Sequence, residues 1–204
     1  MNRLVLTAGL TCALALPAIA GAQTPPPSNP SSTPSKSAAD HAHAAASALA
    51  PTDRAFVLEA AHGGAAEVEL GRLAAEKASN PEVKQFGQRM VDDHSKASDE
   101  LKGLASQKNV TLPTEPDANG KALQARLSKL SGDAFDKAYI QAMVADHNKD
   151  VAAFTRASKS AKDADLKEWA GKTLPTLQEH QKLAKELSAK VHGTATPAKK
   201  SGVQ

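Results

Sequence analysis

Glu67, His94, His147 and His180 each interrupt an otherwise apolar stripe, where a helical sequence should be driest. Three imidazoles and one carboxylate are a competent ligand set for a zinc, copper or iron ion. The same four groups can instead close a hydrogen-bonded Glu–His network, with one imidazole protonated against Glu67. Something must compensate, because a buried carboxylate without a partner is costly. Each histidine also follows an acid: Asp93, Asp146 and Glu179. Those acids either orient an imidazole on a neighbouring helix or form salt bridges on the helix flanks.

The elements that position these groups read as helices. Alanine is abundant, β-branched residues are sparse after the first twenty positions, and six aromatics are too few for a β-sandwich or barrel. Apolar residues recur at three- and four-residue spacing. The first stripe runs Phe56, Ala60, Gly63, Glu67, Leu70, Ala74. The second runs Val83, Gly87, Met90, His94, Ala97, Leu101, Leu104. The third is Ile140, Met143, His147, Val151, Phe154, and the fourth Trp169, Thr173, His180, Leu183, Leu187.

Pro81, Pro113 and Pro116 mark breaks, and Thr52 or Asp53, Asn80 and Asp163 suit helix caps. The helices are predicted over 52–79, 81–109 and 132–160, and from Asp163 to about His192 with Gly193 as the stop. Residues 110–131 form a long connection with an amphipathic piece around Leu123, Leu127 and Leu130. It is long enough to run back along helices of about 40 Å. The expected fold is all-α: a four-helix bundle of two hairpins, ferritin-like, with a long crossover between helices two and three. Each of the four polar residues lies near the middle of its helix, so all four should share one central layer. Gly63, Gly64 and Gly71 leave room around Glu67. Pro175 should bend the last helix without breaking it, one turn before His180.

The chain ends read differently. Residues 1–22 have a positive start, an apolar run and small residues at 18–22, the pattern of a cleaved signal peptide. Residues 23–51 are rich in Pro, Ser and Ala and read as a disordered linker, 52–192 as the bundle and 193–204 as a polar tail. Cleavage would leave no cysteine, which suits a periplasmic or secreted protein. No later segment is apolar enough to span a membrane. Basic and acidic residues balance within 52–192, with scarce aromatics, which argues against nucleic-acid binding. No Rossmann, P-loop, GxSxG or HExxH motif is present.

The segments DRAFVLEAA, AEVELGRLAAEKASNPEVKQFGQRMVDDHSKA, LSGDAFDKAYIQAMVADHNKDVAAF and LKEWAGKTLPTLQEHQKLA closely resemble a bacterial family. It is a ferritin-like domain of unknown function, often labelled "predicted outer membrane protein". The resemblance spans about Thr52 to Lys190 and implies a secreted or periplasmic helical domain, peripheral to the outer membrane if the label holds, with no established reaction. Di-iron ferritin-like proteins carry Glu-x-x-His on two helices. Here Val91 and Leu177 stand three residues before His94 and His180, and His147 occupies a position where a glutamate is expected. Bridging carboxylates are missing, with Asp150 the one extra carboxylate near the stripe. The pattern therefore leans away from an enzyme. It leaves a metal-binding bundle, or a structural module that presents helix faces to an envelope protein partner. No oligomeric state can be read from it.

Overall fold

The computed structural model describes residues 49–193. The expected signal peptide lies outside the described residues, as do the expected linker up to 48 and the expected tail from 194. Every regular element described is helical: α1 (Pro51–Lys77), α2 (Pro81–Gln107), α3 (Ala118–Ser128), α4 (Gly132–Ser160) and α5 (Ala164–Gly193). No helix among the described residues is long and apolar enough to cross a membrane.

The helix starts follow local chemistry. Asn80 caps α2 by accepting from Glu82 N at 2.8 Å, with Pro81 in the first turn. Asp163 accepts from Leu166 N at 3.0 Å at the start of α5. Asp117 accepts from Gly120 N at 2.8 Å and begins α3 inside the long connection. The start of α1 differs from expectation. Its cap is Ala50, without a side-chain bond, and neither Thr52 nor Asp53 caps it. Pro51, at the first position, has no N–H to satisfy. Leu49 is buried in the core, so core packing includes residues before Thr52. At the other end α5 runs through Gly193. It is also continuous through Pro175, as expected of a proline that does not break the helix.

Two tight turns, 78–80 and 161–163, fold α1 on α2 and α4 on α5 as hairpins. Across the hairpins α2 meets α5 and α1 meets α4, while α3 lies on α1 and touches α4. Asp53 is committed to this junction. Its Oδ2 accepts from Lys162 N and Asp163 N, both at 2.8 Å, holding the α4–α5 turn. Asp136 does the reciprocal job: it accepts from Ser79 N at 3.0 Å, Asn80 N at 2.8 Å and the Ser79 hydroxyl, holding the α1–α2 turn.

This reciprocity has a counterpart in the sequence. Asp53-Arg54-Ala55-Phe56-Val57 matches Asp136-Lys137-Ala138-Tyr139-Ile140. The segment ASNPEVKQFG, from Ala78 to Gly87, matches AKDADLKEWA, from Ala161 to Ala170, at the same offset of 83 residues. The two hairpins are therefore versions of one unit, related by a pseudo-twofold exchange of clasping aspartate and clasped turn.

Two apolar clusters fill the interior. One gathers Leu70, Val83, Phe86, Met90, Tyr139, Met143 and Leu187. The other gathers Val57, Leu101, Phe154, Leu166, Trp169 and Leu177. On each long helix one cluster's residues precede the polar interruption and the other's follow it. The four polar residues thus occupy the seam between two dry cores.

Candidate metal centre

The four predicted residues converge, one from each long helix. Glu67 and His94 are 2 % and 5 % exposed, and His147 and His180 are fully buried. The three imidazole rings form a near-equilateral triangle, with centroids 5.3 Å apart for His94–His180, 5.4 Å for His147–His180 and 5.8 Å for His94–His147. One nitrogen from each ring lies within 4.8 Å of the others.

Each ring is held by one nitrogen and leaves the other free. His147 Nδ1 donates to the Met143 carbonyl at 3.0 Å, one turn back on α4. His180 Nε2 donates to Asp93 Oδ2 at 2.8 Å, across from α5 to α2. His94 Nδ1 lies 2.9 Å from Glu67 Oε2. The remaining nitrogens, His94 Nε2, His147 Nε2 and His180 Nδ1, are buried without a hydrogen-bond partner. Three buried ring nitrogens left bare on three clustered imidazoles are anomalous in a folded protein, where buried polar atoms are nearly always paired. An ion that takes a lone pair from each removes the anomaly. An imidazole anchored through its other nitrogen is also the usual support for a metal ligand.

The electrostatics keep the lone pairs available. Burial pushes the imidazoles down, His94 to about 4, His147 to about 3 and His180 to about 4. For His147 and His180 the charges of neighbouring histidines add to the effect of burial. Neutral imidazole is the ligating form. Asp93 feels burial, which raises its pKa, but the hydrogen bonds from His180 and Arg89 outweigh it and hold the carboxylate below its ordinary range. Arg89 also bridges Asp93 at 3.2 Å and Glu179 at 2.9 Å, fixing Asp93 from outside.

The acids preceding the histidines thus divide. Asp93 orients a partner helix's imidazole and Glu179 is a flank charge paired to Arg89. Burial raises Asp146 above its ordinary value.

A second set of donors adjoins the first. Oxygens of Glu67 and Asp150 and a nitrogen of His147 lie within 4.8 Å of one another. Glu67 Oε1 sits 3.5 Å from His147 Nε2, too far for a good hydrogen bond, and the Glu67 carboxyl pairs instead with that of Asp150. Burial is the main reason both carboxyls hold their protons more tightly than usual. Glu67 is raised well above its ordinary value, with Asp146 adding to the shift, and Asp150 is pushed up to about 9, with Glu67 adding to it. Asp150 and Glu67 are 83 residues apart, so they are the same position in the two hairpins. That register was the signal by which Asp150 could have been placed from sequence. Asp53 and Asp136 were likewise readable from the repeated motif.

Comparison with known proteins adds a fold and a family. The crystal structure of a DUF305 fragment from Deinococcus radiodurans superposes with a TM-score of 0.62 at 14% identity, covering 71% of this chain and 99% of that one. This likeness is one of fold. No curated protein matches the sequence. The family model described as "Domain of unknown function (DUF4142)" matches residues 38–187, most of the chain, and the protein therefore belongs to that family.

Proposed function

We propose that this chain is a transition-metal-binding protein built as a ferritin-like four-helix bundle. His94, His147 and His180 are the ligands, and the ion is zinc, copper or iron, all of which accept imidazole. The observation that carries the reading is three buried imidazoles with one nitrogen from each within 4.8 Å of the others, each ring held through one nitrogen and bare at its second. Glu67 joins them as the acceptor that orients His94 and as the nearest carboxylate, so it belongs to the centre whether or not it touches the ion. Asp93 and Arg89 keep His180 in place. A bound divalent ion would supply positive charge and Lewis acidity at the seam between the two cores. The chain's own residues would hold the three lone pairs in place, exclude bulk water through the flanking apolar clusters, and keep the imidazoles neutral. No reaction is assigned.

We propose further that the domain works outside the cytoplasm of a bacterium, in the periplasm or beyond. The leader-like composition of residues 1–22 and the Pro/Ser-rich stretch that follows support this reading. The competing reading is a structural envelope module with a metal-free polar network. The hydrogen bonds His94–Glu67 and His180–Asp93 favour it, because both would persist without an ion.

Elemental analysis decides between the two. The full chain, prepared without affinity-tag metal, is dialysed against Zn²⁺, Cu²⁺ or Fe²⁺ and then against buffer. The metal reading expects one ion per chain, retained at pH 7.5 and released as pH falls through the range where imidazoles protonate. Uptake below one-tenth of an ion per chain for all three metals would leave the polar network.

A further inference from the structure

The offset of 83 residues gives each ligand a counterpart in the other hairpin. His94 corresponds to Leu177, His147 to Gly64 and His180 to Ala97. All three counterparts line a single small cavity of about 30 Å³. The cavity thus occupies the pseudo-twofold image of the histidine cluster. Imidazoles fill one half, while glycine and alanine leave the other half empty.

The cavity shares a wall with the centre. Glu67, His94 and Asp150 line it, and Trp169 and Phe154 close the apolar side. Besides His94 Nε2, which the metal reading gives to the ion, two atoms on this wall are buried without a geometric hydrogen-bond partner: Trp169 Nε1 and Glu67 Oε1, the latter on a carboxyl that also pairs with Asp150. Trp169 is 7% exposed and can only donate. Glu67 Oε1 can accept. An occupant that both donates and accepts would satisfy this wall, and the volume holds about one or two water-sized atoms. A closed structural metal site has no use for such a space, whereas a site with an open coordination position needs one.

We infer that this cavity is the open ligand position of the histidine centre, taking a small neutral molecule of one or two heavy atoms: water at rest, displaced by a diatomic. The inference rests on the metal reading above. It adds that the centre is open and that the opening faces Ala97 and Gly63. Gly63 lines the cavity, and a Cβ built there meets no atom within 4 Å, so the space beside it is free.

The test uses full-length protein loaded with Cu(I) and exposed to carbon monoxide, a neutral diatomic probe. Copper per chain is measured first, then the infrared C–O stretch of bound gas. The emission of Trp169, the chain's single tryptophan, is followed in parallel. An open centre gives a saturable C–O band and a coincident change in Trp169 emission. Ala97→Leu and Gly63→Ala should retain copper at the parental ratio while CO affinity falls roughly tenfold or more, the cost of forcing a ligand into filled space. Stoichiometric copper with no C–O band would show a closed centre and overturn the inference, leaving the metal reading intact. A band of unchanged affinity in both variants would place the ligand elsewhere and overturn it as well. Failure to take up copper, zinc or iron would remove the metal reading, and the inference with it.

Discussion

The α1–α2 and α4–α5 hairpins repeat one plan and diverge at the middle. Both begin with an aspartate that clasps the other's turn, both open their second helix on an Asn or Asp cap, and both place a carboxylate at the central layer. Around that carboxylate the side chains differ. The second hairpin supplies His147 and His180, where the first has Gly64 and Ala97. The first supplies His94, where the second has Leu177. The frame at the ends is symmetric because it serves stability, and either hairpin needs its turn held. The centre is asymmetric because three ligands and a vacancy cannot be made from two identical halves. The backbones differ too. A Cβ added to Gly71 would lie 2.7 Å from the Gly87 carbonyl, so α1 and α2 touch through their main chains, while the matching positions of the other hairpin are Phe154 and Ala170.

The symmetric clasps should give the largest effects when broken. Asp136→Ala strands two turn N–H groups and the Ser79 hydroxyl, and should destabilise by about 3–5 kcal/mol. Asp53→Ala strands two N–H groups and should cost about 2–4 kcal/mol. Urea unfolding monitored by circular dichroism would measure both. Equal, negligible shifts would mean the clasps do not hold the hairpins together. At the point of close approach, Gly87→Ala should cost about 1–3 kcal/mol, since backbone must move to admit the methyl. The matching change in the second hairpin, Ala170→Gly, should cost only about 1 kcal/mol through helix propensity. A reversal of that order in thermal melts would contradict the packing asymmetry.

The metal-free protein should show a stability maximum near pH 6.5. The three histidines titrate near 6.5 when unfolded but at about 4, 3 and 4 when folded. The unfolded state therefore binds more protons below 6.5, and stability falls as pH drops from there. Asp150 acts oppositely. Raised to about 9, it favours the folded state at low pH and costs stability as pH rises through its folded value. Glu67, also raised, acts in the same direction. Below 6.5 three histidines outnumber two carboxyls, and above it the carboxyls act alone. By linkage the net of one proton below 6.5 gives a slope of about 1.4 kcal/mol per pH unit, and above it each carboxyl still protonated in the folded state lowers stability by about 1.4 kcal/mol per pH unit. Unfolding of chelator-treated protein from pH 4.5 to 8.5 tests this, and a flat profile would mean the four-residue layer is solvated.

The smallest effect concerns Tyr139, whose counterpart is Phe56. Its hydroxyl is fully buried without a partner, and burial raises its pKa further, so Tyr139→Phe should leave stability unchanged or raise it by about 1 kcal/mol. A clear loss in a melting curve would reveal a partner for the hydroxyl.

Much of this was legible in the sequence because helical periodicity is a strong signal. The stripes located Glu67, His94, His147 and His180, and their matching heights placed them in one layer. The helix breaks at Pro81 and around 110–131 followed from chemistry local to those residues. In the sequence Thr52 or Asp53 suits a helix cap, the commonest use of such residues. The actual partners of Asp53, Lys162 and Asp163, lie more than a hundred residues away, and only the repeated motif pointed to them. The role of Asp93 was open because a residue 100° around the helix from His94 can face solvent or a neighbour, and the packing of α2 against α5 decides which. The cavity was invisible, since an absence of atoms leaves no residue to read except small ones, and Gly64 and Ala97 read as ordinary helix packing.

The central claim is that three imidazoles hold an ion. X-ray absorption fine structure of the zinc-loaded full chain tests it most directly. The account predicts a first shell containing three imidazole nitrogens at about 2.0–2.1 Å, with multiple-scattering features of histidine. One imidazole should be lost in His147→Ala, while Glu67→Gln should retain all three. A first shell dominated by carboxylate oxygens, or one unaltered by His147→Ala, would contradict it.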